Sequence, residues 1–225
     1  MAIQVQGDNG TLLRVGGPTF MGAHAHLKPL DYSSPGGNLG HYRTALRVVL
    51  SAAQAANSRL FEIRNTGSNL LVPTMIDVSV LPIGGVATAY WLALDLYRCL
   101  SFSTVDTINT ATPTSSTLRT SGMSAYPGNA QVRYLTPAGH AAGMTGGTMT
   151  KEAFPLASLI AWMASVSATS QPVVKQLLGD PARGAHPPVF AQNEGFVIEN
   201  ALAGSATTNQ ILMGIDISWA EVTAY

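Results

Sequence analysis

The chain has 225 residues, with Lys+Arg and Asp+Glu equal at 12 each, so it carries no basic excess to neutralise phosphates or anionic lipid. That argues against nucleic acid as a partner, and no run of about 18 uninterrupted apolar residues offers a membrane span. Charged residues make up only 11% of the chain, against the roughly 25% usual in soluble proteins, while 46% are hydrophobic.

So little charge leaves two readings open. Either part of the surface is hidden in contacts with copies of the chain or with a partner, or a monomer is coated with Ser, Thr, Asn and Gly. The start, MAIQVQGDNG, has neither the basic nor the apolar region of a signal peptide, so we expect a cytosolic chain without an anchor. Cys99 is the sole cysteine, which rules out an intrachain disulfide and leaves the core to hold the fold.

Residues 1–40 contain GGPTF and KPLDYSSPGGNLG, with Pro and Gly too frequent for a continuous core strand. We expect an extended N-terminal arm over 1–40 and one domain over 41–225. Phe20, Leu30 and Tyr32 in the arm, with Tyr42 at its junction with the body, are the expected interface residues; the alternative is that they anchor the arm to its own body. His24 and His26, at i and i+2 of an extended segment, point the same way. In a threefold assembly three such pairs would present six imidazoles to an iron-group ion, as in the H-x-H sites of phage fibre and spike tips, which the tripeptide resembles. The alternative is two partly exposed polar side chains; no cofactor is otherwise expected. His41, His140 and His186 have no evident partner.

Beyond the arm the dominant signal is period-two alternation. Residues Tyr42 to Leu50 read as a strand although LRVVLSAAQAANS, Leu46 to Ser58, which overlaps it, has helical propensity. Phe61 and Ile63 alternate with Glu62 and Arg64, and Ile76, Val78 and Val80 with Asp77 and Ser79. In AYWLALDLYRCLSF the even positions Tyr90, Leu92, Leu94, Leu96, Leu100 and Phe102 make an apolar row broken by Arg98, whereas the odd row is mixed. That suits a strand facing core on one side and a partly covered surface on the other. Cys99 in that odd row is expected as a half-buried filler rather than a nucleophile. PVVKQLLGD, Pro172 to Asp180, is the one candidate helix, with Pro in its first turn. Phe196 and Ile198, then Ile211, Met213, Ile215, Ile217 and Trp219, complete the strands. Turn-rich punctuation such as NTGSN, PIGGV and SAYPGN separates them, which predicts an all-β, antiparallel β-sandwich, jelly-roll-like, behind the arm.

One phrase occurs twice. FEIRN, closing on IDVS at Ile76–Ser79, is echoed by FVIEN, closing on IDIS at Ile215–Ser218. Each copy reads as a strand, a turn and a returning strand, so two similar hairpins are expected in related places. Ordinary hairpin vocabulary and internal duplication both account for it at this level.

No G-x-S-x-G elbow, H-E-x-x-H, C-x-x-C or phosphate-binding glycine loop is present. Asp77, Asp95, Asp216, Glu62 and Glu199 stand singly at polar strand positions, so solvated sheet-surface charge is the expectation, and no enzyme activity is expected.

Several phrases taken in order carry a resemblance: MAIQVQGDNGTLLRV, LKPLDYSSPGGNLGHYRTAL, AANSRLFEIRN, FPLASL, HPPVFAQNEGFVIEN and GIDISWAEV. Together they resemble a family of tailed-bacteriophage virion proteins, and the resemblance covers most of the chain. It implies a non-enzymatic, β-rich, oligomeric component of the virion, assembled in the host cytoplasm. The expected role is a capsid decoration or cement protein that contacts other virion proteins, such as the major capsid protein, as a homo-oligomer, with a trimer as one form. The alternative is a tail, baseplate or head-fibre component for host attachment, with binding carried by loops at Thr107–Thr117 and Ala138–Thr150.

Overall fold

The structure is a computed structural model and describes residues 3–6, 12–15, 40–50, 54–83, 89–113, 128–136, 141–163, 173–178, 187–204 and 211–222. Every regular element in them is a strand, and every strand pairing is antiparallel. Two compact units divide the chain, residues 1–31 and 32–225. Within the first, β1 (Ile3–Gln6) pairs with β2 (Leu12–Val15), Ile3 opposite Val15, so part of the expected arm is a folded-back strand pair.

The second unit begins its strands with β3 (Gly40–Leu50), β4 (Ser58–Asn65), β5 (Leu70–Pro82) and β6 (Tyr90–Thr104). The short β7 (Thr110–Ala111), β8 (Ala130–Leu135) and β9 (Thr148–Lys151) follow, then β10 (Ala157–Met163), β11 (Val173–Leu178), β12 (Gly195–Asn200) and β13 (Ile211–Val222). One sheet has the order β11-β5-β13-β3. The other runs β10-β6-β12-β4-β8-β7, with β9 also on β6. Pairings are nested along the chain: β3 pairs with β13, β4 with β12, β5 with β11 and β6 with β10.

β11 corrects the helix expected over Pro172–Asp180. Val173 lies opposite Val80 and Lys175 opposite Val78, so the ladder to β5 decides the state of a segment whose propensity leaves it open.

The repeated phrase is corrected too. β4 and β5 lie in different sheets, as do β12 and β13, so neither copy is a hairpin. Instead the copies pair with each other: Phe61 faces Ile198 and Ile63 faces Phe196 in one sheet, while Ile76 faces Ile217 and Asp77 faces Asp216 in the other. Equivalent strands meet antiparallel, which relates the two copies by a local twofold.

The inner faces of the two sheets supply one core. Tyr42, Val48, Ile76, Val78, Met213, Ile215 and Trp219 come from the smaller sheet, and Phe61, Ile63, Leu94, Leu96, Leu159, Phe196 and Ile198 from the larger. Alternation puts them there, because every second side chain of a strand shares a face. The alternation fails toward the end of β6. The β6–β9 register shifts between Cys99 and Ser101, and the extra residue turns Leu100 outward to 49% exposure while Phe102 joins Cys99 in a second, smaller cluster with Val105 and Val197.

Candidate functional site

Phe20, Leu30, Tyr32, His24 and His26 lie outside the described residues, and so do His140 and His186. Of the expected interface residues only Tyr42 is described, and it corrects the expectation: it is fully buried, and its ring stacks on Trp219 at a centroid distance of 5.4 Å. It faces inward because it shares the parity of Thr44, Leu46 and Val48 on β3. Its neighbours in this core belong to its own chain.

The carboxylates also depart from the expected solvated surface. Glu62 on β4 and Glu199 on β12 project from the outer face of the larger sheet, yet both are buried. A second layer covers them, made by β9 and the segments around Asp106 and Gly147. The Asp106 N–H donates to Glu62 Oε1 at 2.6 Å, the Gly147 N–H donates to Asp106 Oδ1 at 2.6 Å, and Arg59 Nη2 meets the same oxygen at 2.9 Å. Gly147 has to be glycine, since a Cβ there would stand 2.6 Å from Asp106 Oδ1. Alongside, Lys151 Nζ bridges to Glu199 Oε2 at 2.5 Å and sits over the Tyr97 ring.

Three carboxyls, Glu62, Asp106 and Glu199, therefore face two cations, Arg59 and Lys151. A proton on Glu62 makes the cluster neutral. Burial, then the charge of Asp106, pushes Glu62 up to about 8, with the Asp106 N–H bond and then Arg59 opposing. The remaining oxygens, Glu62 Oε2 and Asp106 Oδ2, are buried and take no donor. Neither carboxyl is exposed, and their bonds fasten the covering layer to the sheet. Cys99, beneath the same layer, is fully buried, and burial pushes its thiol up to about 12. It is a filler, more deeply buried than expected.

Local pattern carried one hint of this layer: Cys99 and Val197 are apolar side chains at outward positions. Nothing in the pattern named Asp106 as the group that closes over Glu62. On the outer face of the smaller sheet Asp77 and Asp216 stand directly opposite each other, a pairing that single-strand reading missed. Burial and then the Asp216 charge raise Asp77 from its ordinary value, with Arg43 opposing.

The exposed apolar surface is concentrated. β9 and β10 both run antiparallel to β6, along Thr104–Cys99 and Leu96–Tyr90 respectively, so among the described residues they form one interrupted edge strand; the Glu152 and Leu156 N–H groups still donate to the Arg98 and Leu96 carbonyls, and residues 153–155 loop out between them. Six of the ten exposed large apolar side chains among the described residues lie on β6 or this edge: Trp91, Leu100, Phe154, Leu156, Ile160 and Trp162. Phe154, in the looped segment, is 81% exposed, and Trp91 and Trp162 touch as a tilted pair, with centroids 4.9 Å apart. Among the described residues no group of His, Cys, Asp and Glu is arranged to hold a metal ion, and no helix is long and apolar enough to cross a membrane.

Comparison with protein-family models and with curated proteins gives no match to this chain.

Proposed function

We propose that this chain is a bacteriophage virion structural protein, and that its role is capsid decoration or cement: a rigid β scaffold that stabilises the head through contacts with other virion proteins. The observation that carries the reading is the exposed apolar edge along β6, β9 and β10, on a body whose main core is otherwise closed. Exposed apolar surface of this kind marks contact with another macromolecule. The scarcity of charge and the order of phrases resembling phage virion proteins support the same assignment.

The fold proposed with it is a jelly-roll sandwich. What supports it is the nesting β3:β13, β4:β12, β5:β11, β6:β10 and the distribution of those eight strands into the orders β3-β13-β5-β11 and β4-β12-β6-β10. That nesting is what two interlocked Greek keys generate, an architecture common to viral capsid and lectin domains. β7, β8 and β9 are then an insertion between the fourth and fifth strands of the roll. Architecture alone assigns no role, so the test is made on particles. Particles lacking this protein are expected to assemble but to break at lower temperature or ionic strength than complete ones, and a label on the chain is expected on the head. Equal stability, or a label on the tail, overturns the decoration role; the second result favours host attachment instead.

A further inference from the structure

Among the described residues β10 is the outermost strand of the larger sheet at Ala157–Met163. Its neighbour β6 fixes which of its backbone groups point outward. The Ala93 carbonyl accepts the Ala201 N–H from the β12 side at 2.8 Å, so Leu92 and Leu94, one position either way, turn their backbone groups to β10. Opposite them are Ala161 and Leu159. The N–H and C=O groups of Ser158, Ile160 and Trp162 are therefore directed away from the sheet. Lys175 Nζ donates to the Ser158 carbonyl from β11, which agrees with that orientation and guards one end of the edge. Further along, the Ile160 and Trp162 side chains are 65% and 51% exposed on the outer face, and no charged residue occurs from Ala153 to Val174.

We propose that β10 is a self-pairing edge, to which a second copy of this chain adds its own β10, antiparallel, about a twofold axis at Ala161. In this register Ile160 lies opposite Trp162 of the partner subunit, each such pair exchanges two main-chain hydrogen bonds, and the Lys175 contact to Ser158 is left in place. A β-branched side chain then meets an aromatic one across the strands, a favourable cross-strand combination. The occupant is a second copy because a twofold sets each strand against its own image. A charge near the axis would face itself, and this stretch has none. Trp91, Trp162 and Ile160 offer on the order of 350 Å² of apolar side chain per copy, about 700 Å² for the pair, which is the size of a weak, reversible contact rather than of a permanent dimer. The inference goes beyond the virion role, since it needs only two copies of the chain in solution.

The test is sedimentation equilibrium of the full chain together with amide hydrogen exchange. Wild type is expected to reach twice the chain mass at tens of micromolar, with the Ile160 and Trp162 amides protected. Ile160→Lys places a charge at the axis, and Ile160→Pro removes an outward N–H without touching the ladder to β6. Both are expected to weaken association at least 100-fold and to release protection at Trp162 while the far-ultraviolet spectrum stays that of wild type. Val174→Lys, on the smaller sheet, is the control and leaves association unchanged. The proposal is overturned by a wild type that stays monomeric at several hundred micromolar, by a dimer that both variants leave intact, or by unprotected Ile160 and Trp162 amides in the dimer. A variant that loses the β spectrum is replaced by Trp162→Lys, read in the same way.

Discussion

The Asp106 main-chain N–H donates to Glu62 Oε1 at 2.6 Å, across a gap of 44 residues, and both side chains are fully buried. That bond ties the segment following β6 to the middle of β4. Burial, and the Asp106 charge beside it, hold a proton on Glu62 against that bond, so the cover of the larger sheet depends on the protonation of one carboxyl.

Stability is expected to fall as pH rises through neutrality. In the folded chain Glu62 keeps its proton up to about 8, whereas its ordinary value is 4.5. Between those values the folded state binds more protons than the unfolded state, so each pH unit costs the folded state up to about 1.4 kcal/mol. Thermal unfolding midpoints measured from pH 5 to 9 should decline, and Glu62→Gln, which stays neutral, should flatten most of the decline. A wild-type profile that is level over this range would contradict the assignment.

Asp77 and Asp216 oppose each other on neighbouring strands, and like charges placed so are unfavourable. Asp216→Asn is expected to stabilise the chain by roughly 0.5 kcal/mol at neutral pH, within the usual span for cross-strand pairs. Because Asp77 is raised in the folded state, the gain should shrink as pH falls and Asp77 takes up its proton. Urea unfolding of the variant and wild type at pH 7 and pH 3.5 measures both parts.

Tyr42 and Trp219 are stacked partners within one core. Trp219→Ala should cost about 3–5 kcal/mol, as large aromatic truncations in cores do. Tyr42→Ala should also destabilise strongly and leave the oligomeric mass unchanged wherever the variant remains folded. Loss of association without loss of stability would restore Tyr42 to an interface role.

Cys99 gives a chemical readout of the covering layer. With the thiol fully buried and raised to about 12, an aromatic disulfide reagent at pH 7.5 should label it only when the layer opens or the chain unfolds. Labelling should be at least 100-fold slower than in denaturant. Asp106→Ala, which removes the contact to Arg59 and the bond from Gly147, should accelerate it. Equal labelling rates in native and denatured protein would refute the burial.

The alternation of Ile211, Met213, Ile215, Ile217 and Trp219, and of Ile76, Val78 and Val80, was sufficient to identify strands and their buried sides. Side-chain parity is a property of a few consecutive residues and needs no partner to be read. Residues 173–178 were ambiguous for the complementary reason: a six-residue segment with two polar residues between apolar pairs fits either state until a ladder is supplied. Tertiary structure alone decided that the two copies of the repeated phrase pair with each other, that Asp77 meets Asp216, and that Glu62 is closed over by Asp106. Each of these brings together residues tens to more than a hundred positions apart. Strand registry and the coverage of an outer face depend on which distant segments arrive there, and local hydrophobic periodicity does not encode that.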